Sequence, residues 1–427
     1  MYLLTNTLRD YAWGSTSAIA ELLGREPTGR PEAELWIGAH PDAPSLPADG
    51  PDGETLASLI ASDPVAALGA ESVAAFGPRL PYLLKVLAAE SPLSLQVHPR
   101  LEAAKAGFAA EEAAGVARTA PHRNYKDDNH KPEMILALTP FEALSGFRPP
   151  SESAALFERL TALLAGSDAA EVTEQVAELL RGPDEPESLR TAFARLINGG
   201  ADVREAVDSS AAAVRAAARS IGTDSAGSAA DRALATVADL ADAYPSDPGV
   251  LLSLMLNRVS LAPGEAMYLP AGNVHAYLSG LGIEVMAASD NVLRGGLTPK
   301  HVDIPELIRT VVFDAPGVPL LAPHESALGQ QLYRPPFTEF QLQRIELGPA
   351  DGAGLREPVP VAQAGAAVVL VVRGSLTLDT PKGDLVLARG ESAFIPDAEA
   401  PALAHVGPEG VLAFAVTTGL GPESGLA

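Results

Sequence analysis

Two stretches of this chain share one spacing, and that spacing limits what the chain can become. Gly264 is followed after five residues by Pro270, and Gly390 after five residues by Pro396. A glycine turn, a short apolar run and a proline stop punctuate short strands rather than helices. Similar strand patterns surround both copies, as in Val368–Leu378, so two all-β units are expected. The first copy runs on through Gly272 to His275. The second loses both groups, with Asp397 and Ala398 following Pro396. One unit is therefore expected to carry chemistry and the other to have lost it.

Between these β patterns, residues 151 to about 245 are rich in Ala, Leu, Glu and Arg at helical spacing. They read as a helical block of four to six helices, bounded by Tyr244-Pro245-Ser246-Asp247-Pro248-Gly249, after which the strand pattern is expected to return with Val250 to Leu256. The expected fold is mainly β, two jelly rolls with an all-helical insertion. A 427-residue chain has room for three such parts. The expected division is a catalytic unit of 1–150 with 250–320, a helical unit of 151–249 and a C-terminal unit of 321–427.

The chain has no cysteine, so any metal must be held by His, Glu, Asp or Gln. Its formal charge is −24, from 30 basic and 54 acidic residues, which argues against a nucleic-acid partner. No stretch approaches the ~18 apolar residues of a membrane span, and the start has no signal-peptide pattern. A cytoplasmic monomer is expected. A small phosphorylated ligand remains open, because a few converging cations outweigh acidic surface beyond ~10 Å.

Three stretches carry groups suited to chemistry. Ser94-Leu95-Gln96-Val97-His98-Pro99 falls in a strand expected from Ser91 to Pro99, with Ser94, Gln96 and His98 on one face. That polar face makes sense only if it lines a cavity. Tyr125 to Met134 packs Lys126, His130, Lys131 and Glu133 beside two aspartates and an asparagine, ahead of an apolar strand. Tyr268 to Tyr277 holds His275. Lys85 interrupts the apolar run Leu80–Leu87, and a lysine there needs a partner or a wet cleft. Trp13 and Trp36 fit core packing as well as a pocket wall. His40, His122, His301, His324 and His405 have no partner motif.

The spacing Gly264, Pro270, Gly272, His275 resembles the second signature of the cupin superfamily. At closer range these three stretches, with Gly282 to Lys300, resemble the type I phosphomannose isomerases, in order from Tyr11 to about Asp303. The resemblance implies one Zn²⁺ per chain held by Gln96, His98, Glu133 and His275. It also implies an aldose–ketose isomerase acting on mannose 6-phosphate and fructose 6-phosphate through an enediol. Arg294 carries over as the active-site arginine. Lys131, His130, Asp290 and Glu284 are candidates for ring opening and proton transfer. Lys85, Ser94, Trp13 and Lys300 are candidates for binding the phosphosugar. The rivals are an isomerase for another phosphosugar and a cupin that binds without catalysing.

Overall fold

The computed structural model describes residues 1–221, 228–326, 330–349 and 357–421. Among them the fold is mostly antiparallel sheet with helices, in two ten-stranded sheet systems.

The first system carries the site. Its spine is the strand His275–Ala287. The first part of this strand pairs with Phe141–Phe147 and, through His275, with Gln96. Its second part lies between Tyr82–Ala89 and Glu133–Ala137. The change of partners comes at a register shift after Tyr277, followed by Gly280 at φ 122°. A Cβ on Gly280 would lie 2.7 Å from the Pro140 carbonyl oxygen, so the crossover needs a residue without one.

Local expectations fared unevenly. Tyr82–Ala89 is a strand buried at all eight positions. The expected strand from Ser91 to Pro99 shortens to Gln96–Val97. Pro92 and Pro99 flank it and cannot donate to a ladder. Val250, Leu251 and Leu252, expected to reopen the strand pattern, form a short helix, and the strand begins at Leu256. A short apolar run has no periodicity that tells helix from strand, and packing decided this one.

Five helices, Pro150–Leu163, Ala169–Leu180, Glu185–Ile197, Ala201–Ile221 and Ala229–Ala243, fill the Ala-rich stretch. Phe157, Val172, Leu189 and Phe193 share one core with Leu95, Val97 and Leu293. The helices therefore brace the residues on either side of Gln96 and the residue before Arg294.

The second system runs through Gln341–Leu347, Leu403–Thr417, Ala367–Thr380 and Ser392–Ile395. It also takes in Tyr2–Thr5, which pairs with Ser392–Ile395. The first strand of the chain thus pairs on one side with a C-terminal strand and on the other with Leu46–Pro47. The two systems share a core in which Leu84, Val86 and Val285 meet Phe340, Val368 and Phe414. Among the described residues, no cluster of potential metal ligands falls in the C-terminal sheet. His405 lies near Asp379 at its surface instead.

Candidate active site

Register brings the expected ligand set together. Glu133 opens its strand, opposite Leu269 on one side and Met286 on the other. His275 sits directly across from Gln96. The donor atoms of His98, Glu133 and His275 lie within 4.8 Å of one another, and all three residues are buried. Glu133 Oε2 is 3.3 Å from His98 Nε2 and 3.4 Å from His275 Nε2.

Both imidazoles are oriented by backbone. His98 Nδ1 meets the Asn291 carbonyl at 2.8 Å, and His275 Nδ1 meets that of Asn273 at 3.1 Å. A carbonyl only accepts, so Nδ1 carries the proton on each ring and Nε2 presents its lone pair to Glu133. His98 Nε2 is buried without a hydrogen-bond partner. Burial lowers the His98 pKa to about 4, against the pull of Glu133, so this lone pair stays free. Two lone pairs and a carboxylate converging on one point is an arrangement that a cation completes.

The charge balance agrees. Burial alone would raise the Glu133 carboxyl, but Lys131 and then His98 hold it well below the usual range. Lys131 Nζ is 2.7 Å from Glu133 Oε1. Lys85 stands opposite Glu284 in the ladder, its Nζ 3.0 Å from Glu284 Oε2 and 3.5 Å from Glu34 Oε1. Burial would strip the Lys85 proton, and Glu284 and Glu34 outweigh it, raising its pKa. Two buried lysines thus face three buried carboxylates, Glu34, Glu133 and Glu284, leaving one negative charge over. Glu284 responds with a raised pKa, first from burial and then from Glu133 and Glu34, against the pull of Lys85. A divalent ion on Glu133 would reverse that excess.

A cleft of about 480 Å³ opens beside these groups. Gln96, Lys85, Lys131, Ser94, Trp13, Asp290, Arg294 and Lys300 all line it. A small recess of about 40 Å³ is lined by Glu133, His275 and Glu284. Arg294 lies opposite Gln96. Burial lowers its pKa and that of Lys300, where Arg294 and Lys126 add to the effect. Among the described residues no ion pair or hydrogen bond to a carboxylate ties up Arg294, Lys300 or Lys126, although Lys126 and Asp290 feel each other's charge.

Two expected residues are placed differently. His130 bonds to Glu339 from the C-terminal sheet system and is not among the residues lining the cleft. Asp290 lines the cleft, but His40 reaches its Oδ1 at 3.3 Å. Burial would raise this carboxyl, and His40, Lys126 and Lys131 hold it well below the usual range, so it stays ionised.

Several residues at the site went unread in the sequence. Glu34 accepts from Trp36 Nε1 at 2.7 Å and faces Lys85. The signal was available, since a carboxylate in the buried run Glu34–Ile37 is as costly as Lys85 in its own. Tyr277 turns a buried, unpartnered hydroxyl toward the recess. Tyr11 stacks on Trp13 at the cleft wall, ring centroids 5.7 Å apart.

Known proteins fit this geometry. A model of the phosphomannose isomerase type I catalytic domain matches residues 1–150. Mannose-6-phosphate isomerase of Escherichia coli (strain K12) is 40% identical over 404 residues, 94% of this chain and 96% of that protein. This chain belongs to the type I phosphomannose isomerases. The mannose-6-phosphate isomerase of Homo sapiens is 31% identical over 429 residues, covering 96% of this chain and 97% of its own. A mutant phosphomannose isomerase from Salmonella typhimurium has a TM-score of 0.84 at 38% identity, with 98% of this chain and 100% of that one covered. A mannose 6-phosphate isomerase solved with zinc and yttrium bound has a TM-score of 0.82 at 37% identity, covering 97% of this chain and 98% of that one.

Proposed function

We infer that this phosphomannose isomerase is a metal-dependent aldose–ketose isomerase interconverting mannose 6-phosphate and fructose 6-phosphate through an enediol. The observation that carries the reading is the buried His98–Glu133–His275 set, with Lys131 paired to Glu133 and lining a cleft that Arg294 and Lys300 share. A cupin that only binds a sugar has no use for buried acid–base groups at a metal site.

Gln96, His98, Glu133 and His275 would hold one Zn²⁺ per chain, which supplies Lewis acidity toward sugar oxygens when bound. Glu284, its carboxyl raised above the ordinary glutamate value by burial, suits a group that takes and returns a proton. Lys131 donates toward a sugar oxygen, and Arg294 stabilises developing negative charge without losing its proton. Arg294 and Lys300 receive the phosphate, with Ser94 and Trp13 along the wall. Lys85 is committed to two carboxylates, so it holds Glu284 in place rather than gripping phosphate. Asp290 stays ionised and orients its neighbours instead of carrying a proton. His130 acts from outside the cleft, steadied by Glu339.

The reading extends to two jelly rolls with a helical insertion, divided 1–150 with 250–320, 151–249 and 321–427. The antiparallel ladders, the repeated glycine–proline spacing and the five helices support it. It further carries a cytoplasmic monomer whose product enters glycolysis or sugar-nucleotide synthesis. The decisive experiment is a coupled assay across hexose 6-phosphates with defined zinc content, run also in deuterated water. Turnover of mannose 6-phosphate with solvent label in the product is expected. No turnover and no label with any hexose 6-phosphate would favour the binding protein.

A further inference from the structure

The segment 126–129 lies just ahead of Lys131, contributes Lys126 to the cleft wall and has no regular secondary structure. Its backbone is nonetheless held, chiefly by the side chain of Asn291, with Ser289 Oγ adding a bond to the Asn129 carbonyl. Asn291 is fully buried. Its Oδ1 accepts from the Lys126 N–H at 2.7 Å and the Asp127 N–H at 3.3 Å. Its Nδ2 donates to the carbonyls of Asp127 and Asn129, each at 2.8 Å. Its own carbonyl is the acceptor for His98 Nδ1.

Only a neutral amide offers both donors and acceptors from one short side chain. An aspartate there would lose both donations and set a second carboxylate against Asp127, whose Oδ1 is 3.2 Å from Asn291 Nδ2. The segment so held carries Lys126 into the same cavity as Arg294 and Lys300. Lys126 also shares with Asp290 a wall with a second cavity of about 340 Å³. Its side chain is exposed, so without the clamp nothing regular would fix where its charge points.

We propose that Asn291 is a positioning residue that acts through Lys126, its side chain fixing that lysine as a third phosphate-binding cation while its main chain orients His98. This rests on the isomerase reading for the ligand's identity. Side-chain changes at Asn291 should therefore affect anion binding and spare the metal, because the carbonyl facing His98 survives them.

The test uses the full chain and inorganic phosphate, whose dissociation constant calorimetry reads without turnover. Asn291→Ala, Lys126→Ala and the double variant are compared, with zinc content and KM for mannose 6-phosphate measured alongside. Each single variant is expected to weaken phosphate binding and raise KM by roughly 10-fold, the loss of one charge-assisted contact. Zinc content should be unchanged and kcat lowered much less than KM is raised. The double variant should bind phosphate no more weakly than Lys126→Ala, since both changes remove one interaction. If Asn291→Ala does not fold, Asn291→Asp enters the same cycle, keeping the size and the acceptor oxygen. Additive losses, an unchanged phosphate constant at Asn291, loss of zinc, or no phosphate binding by the unsubstituted chain would each overturn the proposal. A chain that isomerised no sugar would leave the phosphate comparison readable.

Discussion

Lys85→Met tests the electrostatics of the buried charge cluster most directly. Methionine keeps the length and apolar stem of lysine and removes its charge. In the native chain Lys85 Nζ lies 3.0 Å from Glu284 and 3.5 Å from Glu34, with all three side chains buried. Removing one partner of a buried ion pair costs about 3–5 kcal/mol, because the other charge stays behind without compensation. For a cooperative unit of about 150–250 residues, ~4 kcal/mol corresponds to a fall in Tm of about 8–16 °C. The sign of the pH dependence follows from Glu284. Its carboxyl is already raised, and Lys85 is the strongest influence holding it down. Without Lys85 it rises further, so the folded protein binds a proton that the unfolded chain releases near the ordinary glutamate pKa. A raised folded carboxyl costs stability above its folded pKa, and that cost fades as pH falls toward the unfolded value. The Tm gap should therefore be widest near pH 8 and shrink toward pH 5. Calorimetry on both proteins after chelation keeps metal release out of the comparison. Equal Tm values at pH 8, or a gap that widens on acidification, would refute the reasoning.

Other outcomes follow from the same geometry. Chelation should abolish isomerase activity and zinc should restore it; full activity in a sample shown to be metal-free would exclude the metal reading. Arg294→Ala should lower turnover by ~10²-fold or more with zinc content unchanged, and an equal loss of zinc would make its role structural. The lowered pKa of Lys300 means its charge is lost at lower pH than for an ordinary lysine. KM should accordingly climb on the alkaline side, and Lys300→Arg should flatten that limb; an unaltered limb would remove Lys300 from phosphate binding.

What could be read from the sequence divides along physical lines. His98, Glu133 and His275 sit in short motifs whose resemblance to a known family implied a shared metal, and the structure brings their donor atoms within 4.8 Å of one another. The helical block was legible because its apolar period persists over many turns. Long-range pairing was not. Nothing near His130 announces Glu339, and nothing in Tyr2–Thr5 announces Ser392–Ile395, because ladder partners are chosen by the assembled core. Glu34 and Asn291 escaped for another reason. A single polar residue in a buried run reveals its cost but not its partner.

The pairing of Tyr2–Thr5 with Ser392–Ile395 also constrains how the molecule is made. Tyr2–Thr5 is made well before its neighbour Ser392–Ile395, which lies roughly 390 positions further along. At ~5–20 residues per second that wait lasts on the order of half a minute. Through that interval the early strand is an open edge, able to join a neighbouring nascent chain. Closing the sheet is a contact of very high sequence separation, and such contacts form slowly. Completion of the C-terminal sheet therefore governs when the molecule is finished: until that sheet arrives, Tyr2–Thr5 has only the short strand Leu46–Pro47 to pair with.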